Sequence, residues 1–306
     1  MASLRDIKRK IRVVKNISQI TQAMKMVAAA RLRRVQERVE KGKPYAETMT
    51  NLVGVLAPNV TEISHPLLDN RPTGAVGIVV IAADKGLCGS YNTNILRTAH
   101  QFIDRKMREM NEGEAPGLRN GRDAITLVTV GRKATDYFTK RGYRVSQSFA
   151  APSPQGPYDE IRAISEAITG MFLRGEVDEV HIAYTEFKSV ISQRPTVVKF
   201  LPIEPPSAEE EAAAEAKQAT MEFIFEPDAP QLLAVLLPRF VETRVYQLLM
   251  EAVASEFGAR MTAMTNATKN AGEQIEALTL LANRTRQAGI TKELLDIVGG
   301  AEALKG

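Results

Sequence analysis

Side chains able to do chemistry are thinly spread along this sequence, and the densest cluster is one short turn. Gly86-Leu87-Cys88-Gly89 follows an apolar run and precedes a helical stretch. A strand-to-helix turn with glycines can aim backbone N–H groups at a phosphate. The stretch lacks the GxGxxG spacing and the P-loop spacing that ends in Gly-Lys-Ser or Gly-Lys-Thr, and no acidic residue stands in register for a ribose or Mg²⁺. A phosphate site and a purely structural turn both stay open. Cys88 could be a nucleophile, but no histidine lies near it in sequence, which fits a small buried thiol. His65, His100 and His181 fall in a proline-rich connector, a predicted helix and a predicted strand, so neither a catalytic triad nor a Cys/His metal cluster assembles from them. Asp159 and Glu160 suit the first turn of a helix better than an acid/base pair. No catalytic residue, cofactor or metal is expected from this inventory, and the single cysteine excludes an internal disulfide.

Charge is the second signal. The formal net charge is +4, yet residues 5–43 hold 13 Lys and Arg against 3 Asp and Glu, whereas residues 44–230 hold 19 against 25 and residues 231–306 hold 8 against 8. The basicity therefore belongs to one N-terminal segment, with Lys25, Arg31, Arg33, Arg34 and Arg38 along it. Three readings fit such a face: nucleic-acid phosphates, plain solvation, or an acidic loop of a protein partner. Against the first, no aromatic residue for base stacking occurs in residues 1–44 and the chain has no tryptophan.

Two long helices must carry these residues. Residues 231–298 repeat apolar side chains in steps of three and four, at Val245, Leu248, Leu249, Ala252, Val253, Phe257, Met261 and Met264 and onward to Leu281, with no proline after Glu242. At 1.5 Å per residue such a helix is on the order of 100 Å long, too long for one small core to bury. Residues 3–57 form the other, with Ser3 as N-cap, Asp6 three residues on, and a heptad-like seam through Leu4, Ile7, Ile11, Val14, Ile17, Ile20, Met24 and Val27, then Leu32, Val35 and Val39. Pro44 lies inside this pattern and predicts a kink or a break. The two helices are expected to pair antiparallel as a coiled coil. Beyond Thr291, Leu294, Leu295, Ile297 and Val298 are apolar on several sides of the helix, so a socket in another protein or oligomerisation must cover them.

Between the helices the period changes. Residues 76–83 are a β-branched run of the kind buried on both faces of a sheet, and strands near 124–130, 143–149, 180–187 and 196–203 alternate with helices near 91–110, 132–141 and 158–174. That alternation predicts a central, Rossmann-like open α/β domain. The expected organisation is an N-terminal coiled-coil helix over 1–57, a connector over 58–75, and the α/β domain over 76–230. An acidic excursion at 204–219, a short strand near 221–226 and a C-terminal coiled-coil helix over 231–306 complete it. No apolar run is long enough to span a bilayer, and the charged N-terminus resembles neither a secretory signal nor a transit peptide.

Three blocks together resemble the gamma subunit of F-type ATP synthases over essentially the whole chain. They are Ile20 through Ala30 (ITQAMKMVAAA), Asp84 through Gly89 (DKGLCG), and Asn283 through Glu293 (NRTRQAGITKE) with Asp296 and Gly299-Gly300-Ala301. The resemblance implies a non-catalytic rotor shaft, with the terminal helices inside a hexamer of alternating alpha and beta subunits. The α/β body would meet the epsilon subunit and the membrane ring of c subunits. It implies no nucleic-acid partner, peripheral membrane association through the c ring, and a place on the cytoplasmic face of a bacterial plasma membrane.

By the same resemblance, Arg286 and Gln287 match a pair that hydrogen-bonds a beta-subunit loop, and Met24 faces that zone. Lys85, Arg31, Arg33 and Arg34 would meet acidic loops of beta, while Arg260, Thr291 and Glu293 match positions tied to helix coupling. Leu294, Leu295, Ile297 and Val298 would fill the hexamer socket. Lys25 departs from the family, standing where many relatives carry Glu, and the segment at 204–219 lacks the cysteines of a thiol-regulated insertion, so no redox switch is expected. From the residues alone, two rivals fit: a homo-oligomeric coiled-coil scaffold with a nucleotide-binding α/β domain, and a basic coiled coil whose nucleic-acid affinity falls steeply with salt.

Overall fold

The computed structural model describes residues 3–56, 65–72, 74–112, 121–154, 158–203 and 229–303. The expected excursion at 204–219, the short strand near 221–226, and residues 58–64 and 73 of the connector lie outside the described residues. The elements are α1 (Leu4–Leu56), β1 (Val76–Ile81), α2 (Tyr91–Glu112), β2 (Ile125–Val130), α3 (Arg132–Thr139), β3 (Val145–Phe149), α4 (Tyr158–Leu173), β4 (Glu179–Phe187), β5 (Gln193–Leu201) and α5 (Ala229–Ala303). They form two compact units, Met1–Ala28 with Arg260–Gly306, and Ala29–Ala259.

In the first unit α1 and α5 pair antiparallel, as their contacts show. The Thr21 and Thr268 hydroxyls lie 2.8 Å apart, while Lys10 and Val14, earlier on α1, share a groove with Gln274 and Leu278, later on α5. The seam is built of Ile7, Ala28, Met264, Ala271 and Ala282, all buried. Its N-terminal end is capped as the spacing predicts. The Ser3 hydroxyl accepts from the Asp6 N–H at 3.2 Å and donates to the Asp6 carboxylate at 2.7 Å, and the Ser3 N–H donates to the same carboxylate at 3.3 Å. This reciprocal box satisfies helix-end donors that would otherwise have no partner. The pairing also explains where the seam stops. With Thr21 opposite Thr268, α1 runs out near Ser3, so among the described residues α5 has no partner helix beyond about Arg286, and residues 286–300 are exposed throughout.

Pro44 does not break α1, which runs unbroken from Leu4 to Leu56. Proline removes one backbone donor, but Ala46, Met49, Val53 and Leu56 are buried on one face beyond it, and that packing holds the helix together. The Thr48 hydroxyl donates to the Pro44 carbonyl at 2.8 Å and returns one local bond.

The second unit is a five-stranded sheet ordered β3-β2-β1-β4-β5. Strands β1, β2, β3 and β4 are parallel, and β5 joins β4 antiparallel at the edge. All six residues of β1 are buried, as a central strand covered on both faces requires. On one face Ile78 and Val80 pack with Ile95, Ala99, Ile103 and Phe138. On the other, a Cβ at Gly77 would stand 3.3 Å from Met171 and Val177, so the glycine lets α4 come close to the strand. Helix α5 belongs to this core as well, with Leu249, Ala252 and Val253 buried.

Where β4 begins, a buried ionic cluster ties α2 to the sheet. The Glu179 carboxylate lies 3.1 Å from Lys106 Nζ and 3.2 Å from His181 Nε2. Burial alone would raise the Glu179 carboxyl, but bonding and charge from His181 and then Lys106 outweigh it and hold it at about 2, against an ordinary 4.5. A depressed folded value contributes stability above the unfolded value and loses it as pH falls. Stability from this group should therefore be complete above pH 4.5 and decline from there toward about pH 2. Urea titrations across that window should show a shallower acid slope for Glu179→Gln than for the native chain; equal slopes would contradict the assignment.

Candidate functional site

The turn after β1 is built from the inside outward. The Asp84 carboxylate accepts from the Arg132 N–H at 2.9 Å and the Ala151 N–H at 3.2 Å, so one side chain links the ends of three strands. Asn92, in the first turn of α2, accepts from the Ala83 N–H at 3.0 Å and donates to the Lys85 carbonyl at 3.3 Å and the Cys88 sulfur at 3.2 Å. Cys88 is buried, as a structural thiol should be. The far side of the turn is open to solvent: Lys85, Gly86 and Leu87 are exposed. Leu87 has φ 64° and is 64% exposed. A leucine held in the left-handed region costs on the order of 1 kcal/mol.

In an open α/β sheet, a ligand would sit beyond the C-terminal ends of the strands, where β1 gives way to β4. Helix α5 occupies that place. The Tyr91 hydroxyl donates to the Ala252 carbonyl at 3.1 Å, and the Ser255 hydroxyl donates to the Thr185 carbonyl at 2.9 Å. A Cβ at Gly258 would stand 3.2 Å from the Phe187 ring, and Ala259 packs against Ala83, Cys88 and Tyr91. The crevice a nucleotide-binding domain would offer is filled by the protein's own helix, which removes the ground for a nucleotide at Gly86 to Gly89.

The remaining sequence candidates lie on helix surfaces. Arg31 places its guanidinium 5.6 Å from the Phe257 ring centre, and Arg33 pairs with Glu37 at 3.0 Å; Arg34 is exposed. These three and Lys85 belong to the second unit, whereas Met24 and Lys25, half-buried, belong to the first. Arg286, Gln287, Thr291 and Glu293 are exposed on the unpartnered part of α5, with the Thr291 hydroxyl bonded back to the Gln287 carbonyl at 3.0 Å. Arg260 is half-buried. Leu294, Leu295, Ile297 and Val298 stand 57–67% exposed. On α1, Val13, Ile17, Ile20, Met26 and Val27 are also exposed apolar residues; of these, Ile17, Ile20 and Val27 are expected in the helix seam and lie outside it. Two helices can bury only one flank of each, so this second flank stays in water.

A family profile described as ATP synthase matches residues 3–304. The chain is 44% identical to an ATP synthase gamma chain of Desulfitobacterium hafniense over 305 residues, covering all of both chains. It belongs to the ATP synthase gamma chain family. A second member, from Desulforamulus reducens, is 45% identical over the full length of both chains. Among solved structures, a chain of the Euglena gracilis mitochondrial ATP synthase, in an OSCP/F1/c-ring assembly, matches 98% of this chain with 94% of its own at a TM-score of 0.58 and 20% identity. A chain from the central stalk and c ring of the Tetrahymena thermophila mitochondrial enzyme matches 81% of this chain with 99% of its own at 0.53 and 24%. At these identities the two structures speak for the fold, which is the expected one: long terminal helices with a mainly parallel α/β sheet. No helix among the described residues is long and apolar enough to cross a membrane.

Proposed function

We propose that this chain is the central rotor shaft of an F-type ATP synthase, coupling ion flow through the c ring to ATP synthesis or hydrolysis at alpha/beta interfaces. The observation that carries the reading is the unpartnered end of α5, where Leu294, Leu295, Ile297 and Val298 stand in water on a single helix. An apolar surface of that kind requires a sleeve, and a hexamer of alternating alpha and beta subunits supplies one. The chain contributes shape and charge, while the reaction takes place on the hexamer.

The mechanism follows from asymmetry. A single helix pair is not three-fold symmetric, so at any orientation each of three beta subunits meets a different face of it. A beta subunit that meets cations is biased toward one conformation, and one that meets the apolar flank toward another, because a contact shifts an equilibrium only by its differential affinity for the two states. Arg286 and Gln287 fit this role on the exposed part of α5: the guanidinium fork bonds two oxygens of one loop, and the amide adds a donor and an acceptor. Met24 and Lys25 would extend that contact, and Lys85, Arg31, Arg33 and Arg34 would face acidic loops. Thr291, Glu293 and Arg260 would couple the helices to these contacts. The α/β unit would meet the epsilon subunit and the c ring. That arrangement would hold the chain peripherally on the cytoplasmic face of a bacterial plasma membrane.

Arg286→Ala should leave folding intact, since an exposed side chain away from any cap costs within about 0.5 kcal/mol, while fewer protons are pumped per ATP hydrolysed by the reconstituted enzyme. An unchanged ratio would remove Arg286 from the coupling contact. The role as a whole is tested by mixing purified alpha and beta subunits with and without the chain. Co-elution as one large complex with raised ATPase turnover is expected. Separate elution with unchanged turnover would refute the reading.

A further inference from the structure

The second unit holds a cavity that neither the turn after β1 nor the exposed apolar flanks use. Helices α1 and α5 and the start of α4 enclose about 710 Å³, a volume in the range of small-ligand pockets. Its floor is apolar, made by Ala46 and Ile161, both buried, with Val39 beside them. Gly42 keeps it open. A Cβ there would already lie 3.8 Å from the edge of the Tyr246 ring, so a longer side chain would grow into the cavity. Glycine inside a helix costs about 1 kcal/mol relative to alanine, and Pro44 follows two residues later. The wall of this cavity is thus where α1 departs furthest from good helix formers.

The rim carries Arg38, Lys41, Lys43, Arg162 and Arg239 against Glu242 and Glu251. Three of the cations have carboxylates of their own: Arg239 with Glu242 at 3.3 Å, Lys43 with Glu47 at 3.7 Å and Arg162 with Glu166 at 2.8 Å. Arg38 and Lys41, one turn apart on α1, make no ion pair among the described residues. Two tyrosine rings complete the lining: Tyr246, and Tyr45, which leaves 57% of its surface in water. Flat apolar faces next to uncompensated positive charge fit a ligand with a planar ring at one end and several negative oxygens at the other. A bare phosphate would not use the floor, and an apolar molecule would not use Arg38 and Lys41. The α4 wall makes the site compact, which suits a small molecule better than a peptide in passage.

We propose that this cavity binds a phosphorylated heterocycle of the nucleotide class, its ring against Tyr45 and Tyr246 and its phosphates on Arg38 and Lys41. The site lies within the second unit and does not depend on the rotor reading. The test is calorimetric titration of the purified full-length chain with ADP, and separately with adenosine and pyrophosphate as its two halves. One saturable ADP site is expected, with each half binding at least about tenfold more weakly. Arg38→Ala with Lys41→Ala should weaken ADP at least about tenfold, and Gly42→Leu should block it with helical circular dichroism retained. Arg9→Ala with Arg12→Ala, in a separate basic cluster of the first unit, should change nothing. The proposal is overturned by no saturation up to about 1 mM ADP. Pyrophosphate binding as tight as ADP would also overturn it, as would an equal loss in the Arg9/Arg12 variant or full binding by the cavity variants.

Discussion

Leu294→Asp with Leu295→Asp should leave the isolated chain folded at its native melting temperature and abolish its assembly with alpha and beta subunits. Both side chains are more than half exposed and have no partner helix among the described residues, so making them polar should cost the isolated chain little. In a socket the balance reverses. Burying two leucines is worth about 3–6 kcal/mol, and placing two unpaired carboxylates in the same apolar site adds a further penalty. The free energy from the leucines alone is about two to four powers of ten in affinity. Gel filtration should therefore show the variant eluting apart from alpha and beta, with ATPase turnover at the level of those subunits alone. If the variant co-elutes and stimulates normally, the end of α5 is not in a socket.

Gly131→Ala is expected to have the largest effect on the fold. Gly131 has φ 92°, and a Cβ there would stand 2.0 Å from the Ala82 carbonyl oxygen. That contact is with backbone, so no side chain can swing aside. The surrounding bonds leave no room either: the Gly131 N–H donates to Phe149, the Ala82 N–H to Val130, and the Lys133 N–H to Ala83. The clash and the left-handed strain together should cost about 2–5 kcal/mol, a large share of the roughly 5–15 kcal/mol that holds a domain together. Denaturant midpoints compare the variant with the native chain. A loss under about 0.5 kcal/mol would mean that β1 and β2 can separate at this point without consequence. Because Asp84 bonds the Arg132 N–H next door, the variant should also loosen the turn that presents Lys85 and Leu87.

What could be read from the sequence divides by the range of the interactions. Ser3 and Asp6 marked the start of α1 because a cap is made three residues away. The run from Val76 marked a central strand because burial on both faces leaves no polar residue in it. The open α/β class followed from alternation of periods, and the family signature at Asn283 to Glu293 pointed to the gamma chains. Of the kink or break that Pro44 predicts, the break does not occur, because proline's local cost is set against the burial of Ala46, Met49 and Val53, which local spacing does not weigh. The braces of the turn were out of reach for the same reason: Asp84 bonds residues 48 and 67 positions away. Filling of the sheet crevice by α5 joins Tyr91 to Ala252, 161 positions apart. The exposed flank of α1 at Val13, Ile17 and Ile20 had the seam's three/four spacing, and only pairing geometry separates a stripe facing α5 from one facing a partner.

The central claim is that this chain turns inside a stator. Its most direct test fixes an alpha/beta hexamer containing the chain to a surface, labels an exposed position of the α/β unit such as Ile191 with a probe, and follows the probe's orientation while ATP is supplied. Rotation in one direction, pausing at three equivalent angles and ceasing when ATP is removed, is the predicted result. ATP turnover with the probe held at one fixed angle would contradict the account.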